Sequence, residues 1–506
     1  MKQTGQDMAE HMKQPLSDAA DQVKEAAAEA SPAVTDAAKD AAGTSKRAVR
    51  EAADTVRSEA NGWRREQAAD LRAEKSFNPY CGLDGRDEAR ASYQARTVGF
   101  MHRSRPATVA VLAFAVAAAL AAPIGATGGA NLASANGGLI VATFNASLNR
   151  PAEGELVADL STPDDPQAAA VAEIIQRISP DVILLNEFDY VEDGAAVDLF
   201  RDNYLAVSQN GAFPADYEHA FTAPSNTGIE SGFDLDNDGT VGGPNDAFGF
   251  GEFPGQYGMV VLSRYPIVED EVRTFQNLLW SSMPGARLPD DPSTPGPADW
   301  YSPEELEVVR LSSKSHWDVP IDFNGRTVHV LASHPTPPVF DGEEDRNGTR
   351  NADEIRLWAD YVAGDADWIV DDNGVAGGLA ADADFVILGD QNSDPVDGDS
   401  VEGAIQQLLD LDRVQDPEPT SVGAVEAAET QGQLNAEHEG DPALDTADFA
   451  DDAPGNIRAD YVLASDGFEI LEAGVFWPAS DDPLSALTGE YPFPSSDHRL
   501  VWVAIA

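Results

Sequence analysis

The chain has 506 residues and a formal net charge of −56 at pH 7, and this charge is unevenly distributed. Residues 1–105 hold 17 basic and 17 acidic residues, which leaves 15 basic and 71 acidic residues for 106–506. An acidic surface repels polyanions, and nucleic-acid binding needs Lys and Arg, so duplex DNA is disfavoured as a partner at low salt. Adaptation to high salt, where ions screen this repulsion, is the alternative explanation of the charge. The single cysteine, Cys81, excludes a disulfide within the chain.

The first part of the chain differs in composition from the rest. Residues 1–100 are rich in Ala and charged residues, which predicts a helical or disordered extension without a core. Residues 101–135 contain Arg103 and Arg105, an apolar Ala-rich core and an Ala-Ser-Ala site, which predicts a signal peptide and a secreted or cell-surface protein. Two alternatives stay open. In the first, Met101 is the true start of the protein and the extension is not translated. In the second, 101–135 is a type II membrane anchor.

In the acidic part of the chain, several short apolar runs each end in a polar residue. Runs of this length, rich in Val, Ile and Leu and followed by turn residues, are typical of buried strands. Their ends carry Asn145, Glu187, His334, Asp390 and Asn392. Because the ends of buried strands can meet at one rim of a sheet, these carboxylate, amide and imidazole groups suit a hard divalent cation and a phosphate.

An acidic loop at 234–246 is a separate signal. Asp234, Asp236 and Asp238 occupy alternate positions before a glycine, which matches the front of a calcium-binding loop. The twelfth position is Asn245 instead of the usual Glu, and no strong helix is predicted on either side. The loop is therefore predicted to bind Ca²⁺ outside an EF-hand, with a plain acidic turn as the alternative.

Cationic residues stand out in so acidic a region. Lys314 is the only lysine in 106–506, and His316 follows two residues later. Arg346 and Arg350 come soon after His334. These four residues are candidate contacts to phosphate or substrate. Local ion pairing with the neighbouring acids is the alternative for each.

Helices are predicted between the strands. Asp165 is a predicted N-cap, followed by Pro166 at the first helical position. A second helix is predicted from near Asn351, and a third from near Ser400. Residues 415–456 are rich in Asp, Glu, Ala and Gly with few core residues, which predicts a mobile surface loop.

Two elements near the C-terminus fit the same rim. Asp460 opens another apolar run, and Asp497 and His498 directly precede the last predicted strand. An Asp beside a His at the entry of a strand can place a base and the partner that orients it.

The order of these motifs resembles that of the endonuclease/exonuclease/phosphatase superfamily. The motifs are Thr-Phe-Asn, Asn-Glu, Ser-His-Pro, Gly-Asp-Gln-Asn, Arg-Ala-Asp-Tyr-Val-Leu and Ser-Asp-His. Members of the superfamily include pancreatic-type deoxyribonucleases, abasic-site endonucleases, neutral sphingomyelinases and inositol-polyphosphate phosphatases. The resemblance implies that 138–506 form one catalytic domain, an α/β fold in which two mixed sheets and flanking helices make a four-layer sandwich.

The resemblance also implies a metal site. Glu187 corresponds to the carboxylate that holds Mg²⁺ or a similar ion such as Mn²⁺. Asn145 lies beside it and would orient a ligand of the ion. Asp497 would bind the metal directly or support its ligands.

Five further residues match the family's catalytic positions. Asp390 would position or deprotonate the attacking water, and Asn392 would contact a phosphate oxygen or the metal. His498 would bind the scissile phosphate or act as a base, oriented by Asp460. His334 occupies the place where some members carry a histidine that protonates the leaving oxygen.

These observations predict an exported, divalent-metal-dependent phosphoesterase that cleaves phosphodiester or phosphomonoester bonds by water attack. No Gly-x-Ser-x-Gly nucleophile motif and no phosphate-binding glycine motif is present. The alternatives are a secreted nuclease that acts on DNA or RNA in high salt and a non-catalytic binding protein that keeps the fold. The expected partner is a phosphate-ester substrate. No obligate protein partner is evident, and a monomer is expected.

Overall fold

The structure is a computed structural model that describes residues 138–364 and 366–506. The predictions for 1–100 and 101–135 lie outside the described residues. Within the described ranges, no helix combines the length and the apolar character needed to cross a membrane.

Two mixed six-stranded sheets form the centre of the fold. The strands are β1 (Leu139–Leu148), β2 (Val182–Phe188), β3 (His219–Phe221), β4 (Met259–Ser263), β5 (Arg273–Thr274), β6 (His316–Phe323), β7 (Arg326–Ser333), β8 (Asp384–Asp390), β9 (Val414–Gln415), β10 (Ala447–Asp448), β11 (Asn456–Ile457), β12 (Asp460–Ser465), β13 (Ile470–Val475) and β14 (Val501–Ile505). The first sheet has the order β13-β14-β1-β2-β4-β3, and the second has the order β5-β6-β7-β8-β12-β9. Each sheet contains one parallel pair, β1–β2 and β7–β8, and its other pairs are antiparallel.

Helices lie in the connections between strands. They are α1 (Glu155–Leu160), α2 (Pro166–Ile178), α3 (Ala195–Phe200), α4 (Arg346–Ala363), α5 (Gln406–Leu409) and α6 (Val422–Gln431), with a π-helical turn at Arg201–Leu205 after α3. The predicted cap of α2 is confirmed, because the Asp165 side chain accepts the Ala168 N–H at 2.7 Å.

The alternating side chains of the strands build three apolar layers between four layers of backbone. In β1, Leu139 and Val141 face the second sheet, where they meet residues such as Val330 of β7. Ile140 and its alternate neighbours face α2 on the outer side of the first sheet. The outer side of the second sheet packs in the same way against α4, through residues such as Trp358. The predicted four-layer α/β sandwich is therefore confirmed.

Two predicted helix boundaries are wrong. Helix α4 begins at Arg346 and not near Asn351. The sequence did not reveal this start, because the first turn is polar and has no capping side chain. Helix α5 is a single turn, Gln406–Leu409, and not a helix from Ser400. Ile405 and Leu408, in and beside this turn, are nevertheless buried in the core.

The composition of 415–456 predicts a loop, but this segment contains α6 and the β10–β11 pair. Its buried side chains are small, among them Ala424 and Ala447, so their burial leaves no signal of large apolar residues. The backbone of α6 instead packs directly against the chain at Trp477. A Cβ added to Gly423 would lie 2.5 Å from the carbonyl oxygen of Trp477.

A buried asparagine joins the two sheets. Asn186 lies in β2 of the first sheet and is fully buried. Its Oδ1 accepts the backbone N–H of Asp390 in β8 at 3.2 Å, and its Nδ2 donates to the carbonyl oxygen of Ser333 in β7 at 3.2 Å. One amide therefore satisfies two backbone groups of the second sheet.

We expect Asn186→Leu to lower the free energy of unfolding by at least about 1–3 kcal/mol, because a buried N–H and a buried carbonyl lose their partner. Urea unfolding measures the change. Asn373→Leu, at an exposed position, is the matched control and should change stability by less than about 0.5 kcal/mol. Equal losses in the two variants would show that the bridge contributes nothing.

Candidate active site

The ends of several strands meet around the carboxylate of Asp390, the last residue of β8. Its Oδ2 accepts the Asn145 Nδ2 at 3.0 Å and lies 3.4 Å from His334 Nε2 and 3.6 Å from His498 Nε2. Its Oδ1 accepts the backbone N–H of Asn392 at 2.9 Å. All five residues are buried. The structure thus brings together predicted residues from both sheets.

His498 is held by a second carboxylate. Its Nδ1 lies 2.8 Å from Asp460 Oδ2, in β12, and Asp460 also accepts the Thr446 hydroxyl at 2.9 Å. The ring of Phe449 packs in a T-shaped contact against the imidazole, with 5.1 Å between ring centres. Burial lowers the pKa of His498, but the carboxylates of Asp460 and Asp390 outweigh burial and hold this pKa well above its usual range. These carboxylates favour the protonated form of His498, whose Nε2 lies 3.6 Å from Asp390 Oδ2.

The two histidines beside Asp390 differ in protonation. Burial lowers the pKa of His334 well below its usual range, and the positive charges of Lys314 and His498 lower it further. Burial raises the pKa of Asp390, while the charge of His498 opposes this rise. The surroundings of Asp390 therefore favour the neutral form of His334 and the protonated form of His498, and such opposed shifts are typical of acid–base sites.

Glu187 and Asp497 form the acidic side of the site. Burial and then the negative charge of Asp497 raise the pKa of Glu187, whereas His498 and a hydrogen bond from Asn145 lower it. Glu187 has a φ of 57°, a left-handed conformation that is uncommon outside glycine. Two partly exposed carboxylates that repel each other, together with an amide oxygen, are the hard donors that fit a divalent cation.

A second set of metal-capable atoms lies close by. Asp390, Asp460 and His498 each offer one ligand atom, and these atoms lie within 4.8 Å of one another. The hydrogen bond between His498 and Asp460 uses one nitrogen of this set, which favours the orienting role over ligation for Asp460.

Asn392 follows the same turn as Asp390. Its φ of 50° places it in the left-handed region, which asparagine tolerates better than most residues. Its Nδ2 donates to the carbonyl oxygen of Pro335 at 3.1 Å, directly after His334. This bond fixes the amide beside the two predicted acid–base residues.

Three polar residues that hold the site escaped the sequence analysis. Asn186 anchors the backbone of Asp390, as described above. Ser496 donates to the carbonyl oxygen of Asn145 at 2.7 Å, and Ser147 donates to Asp497 Oδ1 at 3.1 Å. The place of Ser496 in the Ser-Asp-His motif could have identified it, but Ser147 has no comparable signal.

Lys314 is also brought to the site. The side chain is 7% exposed, and the carboxylates of Glu354, Glu187 and Asp390 act on it. Burial nevertheless lowers the pKa of Lys314. The only lysine of 106–506 thus lies within electrostatic reach of the two predicted centres, the metal side at Glu187 and the water-positioning side at Asp390.

The sequence model of the Endonuclease/Exonuclease/phosphatase family matches residues 142–498. The chain belongs to this family. Enzymes of the family depend on divalent metals and hydrolyse phosphoric ester bonds, and this protein is such a hydrolase. The buried group of Asp390, Asp460 and His498 has ligand atoms close enough together that it could hold such an ion.

Several solved structures are similar to this hydrolase. An endonuclease/exonuclease/phosphatase from Beutenbergia cavernae has 18% identity and a TM-score of 0.39, with 73% of this chain and 71% of that chain covered. A mannosyl-6-phosphatase from Bacteroides thetaiotaomicron has 10% identity and a TM-score of 0.37, with 73% and 99% covered. A 3′ phosphatase from Neisseria, bound to a product DNA hairpin, has 13% identity and a TM-score of 0.35, with 72% and 98% covered. No curated protein matches the chain.

The prediction that His316 contacts substrate in this hydrolase is wrong. His316 is fully buried at the start of β6, with its ring 5.0 Å from that of Trp358. Its Nδ1 lies 2.6 Å from the Ser312 hydroxyl, and its Nε2 lies 3.0 Å from the carbonyl oxygen of Glu354. Both ring nitrogens are used inside the protein, so His316 is a structural residue.

The two arginines also have partners within the protein. Arg350 donates to the backbone carbonyl oxygens of Phe248, Arg310 and Leu311 through Nε and one terminal nitrogen, and its contact to substrate stays a prediction. Arg346 forms an ion pair with Glu344, as the alternative of local pairing expects. The sequence does not reveal such partners, because they come from other loops or depend on how the helix begins.

The acidic loop has a different third member from the one predicted. Asp234, Asp236 and Asp246 bring carboxylate oxygens within 4.8 Å of one another. Asp238 is not part of this group, and its Oδ1 accepts the backbone N–H of Thr240 at 2.7 Å. The third carboxylate of the group is therefore Asp246, at the end of the loop, and not Asp238, which the sequence spacing predicts.

The buried His316 predicts a pH dependence of stability. Burial lowers its pKa from 6.5 to about 4, so the unfolded chain binds more protons between these values. Its contribution is complete above pH 6.5 and is lost as pH falls toward 4, by about 3 kcal/mol in all.

We therefore expect His316→Gln to unfold with a shallower pH dependence than wild type between pH 6.5 and 4. The measurement is the free energy of unfolding in urea across this range for both proteins. The comparison cancels the titration of the many carboxylates that the two proteins share. Identical slopes would contradict the assignment of a buried, neutral imidazole.

Proposed function

We propose that the enzyme hydrolyses phosphodiester or phosphomonoester bonds by attack of a water molecule, with Mg²⁺ or Mn²⁺ as its resident ion. One observation carries the proposal. The buried carboxylate of Asp390 lies 3.4 Å from the neutral His334 and 3.6 Å from the charged His498. This arrangement provides a base and two donors around a single point, which is what displacement at phosphorus requires.

Glu187, Asn145 and Asp497 are the proposed residues that hold the ion. Their oxygen donors suit Mg²⁺ or Mn²⁺ better than a soft metal. When bound, the cation neutralises negative charge on the phosphate oxygens. It also relieves the repulsion between Glu187 and Asp497 that raises the pKa of Glu187.

The remaining residues perform the proton transfers and hold the phosphate. Asp390 orients the attacking water and accepts its proton. His498 holds a phosphate oxygen as a cation, with its charge supported by Asp460. Asn392 donates a hydrogen bond to another phosphate oxygen. His334 donates to the leaving oxygen, and the negative charge of a bound phosphate opposes the low pKa of its imidazole.

Lys314 adds a positive charge to the substrate side of the site. Its position near Glu187 and Asp390 supports a contact to the bound phosphate. An ammonium group provides a point charge without fixed geometry, so Lys314→Arg should retain more activity than Lys314→Met. Equal activity of the two variants at every substrate concentration would refute this role.

The catalytic proposal is tested with bis-p-nitrophenyl phosphate. Chelation should abolish hydrolysis, and Mg²⁺ or Mn²⁺ should restore it. His498→Ala and Asp390→Asn should each lower kcat by at least ~100-fold, the scale of a lost acid–base group. His219→Ala, in the edge strand β3, is the control histidine and should retain wild-type turnover. Full activity in chelator, or in either site variant, would end the proposed mechanism.

A nuclease that acts in high salt is the second candidate, and the charge of the chain makes it testable. With 71 acidic and 15 basic residues in 106–506, long duplex DNA should bind weakly at low salt. If DNA is cleaved, the rate should rise as salt is added, opposite to the usual effect of counterion release. Nuclease assays across a salt series measure this. Tight binding at low salt that weakens with added salt would count against the expectation.

We propose that the loop 234–246 binds Ca²⁺ and stabilises the fold. A cation between Asp234, Asp236 and Asp246 would relieve the repulsion of their carboxylates, so it should raise Tm. Asp236→Ala should lose this effect, whereas the neighbouring control Asp238→Asn should retain it. Thermal unfolding with and without Ca²⁺ is the measurement. Equal stabilisation of wild type and both variants would reduce the loop to an acidic turn.

We also propose that the enzyme is exported and monomeric. The basic, apolar and small-residue parts of 101–135 support export, with a type II anchor as the alternative. Sequencing the N-terminus of the protein recovered from medium and from membranes distinguishes the two. A dimer in analytical ultracentrifugation would contradict the monomer.

A further inference from the structure

A cavity of about 960 Å³ lies beside the catalytic histidine and has no role in the mechanism above. Asp497 lines the cavity, and so does Phe449, whose ring contacts the imidazole of His498. The volume is that of a site for a small organic group. A group attached to the phosphate that His498 holds would therefore be next to this cavity.

Aromatic rings form much of the cavity wall. Phe449, Trp477, Tyr491 and Phe493 all line it. Tyr491 is 86% exposed and its ring lies 6.1 Å from that of Phe493, so an apolar surface is presented to solvent without a partner in the described chain. Such exposure of a large aromatic residue next to a catalytic site is typical of a ligand contact.

The rings are held from within the protein. The guanidinium carbon of the buried Arg499 lies 4.2 Å from the ring centre of Trp477 and 5.3 Å from that of Phe493. Arg499 in turn donates to Asp448 at 2.9 Å. Arg499 therefore holds the part of the wall formed by Trp477 and Phe493, and its charge is already paired.

The electrostatic character of the cavity is negative. Glu426, Asp451 and Glu490 contribute carboxylates to the wall besides the proposed metal ligand Asp497, and the described residues that line it include no Lys, Arg or His. Acidic residues are common throughout this protein, but here they surround aromatic rings. A ring face and a carboxylate both attract a cation, whereas they repel a second phosphate.

We propose that this cavity binds the group esterified to the reacting phosphate and selects a group that carries an organic cation, such as a quaternary ammonium. The proposal rests on the phosphoesterase function proposed above. It favours small zwitterionic esters, in which the phosphate reacts at His498 and the ammonium enters the ring of aromatic residues. It disfavours esters that carry several phosphates.

Two substrates of equal shape test the charge preference. p-Nitrophenyl phosphorylcholine and 3,3-dimethylbutyl p-nitrophenyl phosphate differ only in that a trimethylammonium replaces a tert-butyl group. With the metal-loaded enzyme, we expect kcat/KM for the choline ester to be at least about tenfold higher, the scale of a desolvated cation–π contact. Equal values, or a preference for the neutral ester, would overturn the proposal.

Variants of the cavity wall test whether the preference for the choline ester arises in this cavity. Tyr491→Ala and Glu490→Gln, both at exposed positions of the wall, should lower the ratio of the two kcat/KM values toward one. Phe213→Ala removes another exposed aromatic residue, 82% exposed, that does not line the cavity, and should keep the wild-type ratio. A high ratio that survives both cavity variants would also overturn the proposal.

The proposed function and the cavity can fail separately. If bis-p-nitrophenyl phosphate and both esters resist hydrolysis with Mg²⁺ and Mn²⁺, the proposed function fails. Calorimetric titration then tests whether the cavity binds an organic cation. Wild type and Tyr491→Ala are each titrated with choline and with the neutral 3,3-dimethylbutanol. Tighter binding of choline that Tyr491→Ala abolishes supports the cation site, and any other result refutes it.

Discussion

The buried carboxylate of Asp390 is the group on which the rest of the site depends. A charged carboxylate away from water is costly unless hydrogen bonds and opposite charge surround it. Here the partners come from separate parts of the chain: Asn145 from β1, Asn392 from its own turn, and His498 from the entry to β14. Asn145 and His498 reach Asp390 only when the two sheets pack face to face. The site therefore assembles only when the two sheets of the sandwich pack together.

The partners of Asp390 have supports of their own. Asp460 holds His498, and Thr446 holds Asp460, so the imidazolium is oriented through two successive hydrogen bonds. Asn186 holds the backbone of Asp390 from the opposite sheet. This second set of contacts explains how a site built on strand ends keeps its geometry, since His498 and the backbone of Asp390 are each held by a residue behind them.

The acidic composition changes how the protein uses its cations. Because 106–506 contain only 15 basic residues, most of the surface charge is unpaired, and several cations instead lie inside. Arg499 and Arg458 are almost fully buried, each above an aromatic ring and paired with one aspartate. Lys314 is buried as well, at the catalytic site. Against this background, a cavity wall that combines aromatic rings with carboxylates and has no cation of its own is chemically distinct from the phosphate-binding side of the site.

The sequence by itself determined the core strands that end in polar residues and the family to which their order belongs, because short apolar runs and the residues after them are local properties. It also indicated which residue types meet a metal and a phosphate. It did not determine where residues outside those runs lie or what they contact. Lys314 and His316 are two positions apart, yet one reaches the catalytic carboxylates and the other is enclosed by Ser312 and Glu354. Only the tertiary structure decided between them, because the distinction depends on which distant segments pack against each side chain. The same reason places Asp246 in the acidic loop and brings Phe449 against His498, since contacts between segments far apart in the chain leave no pattern in local sequence.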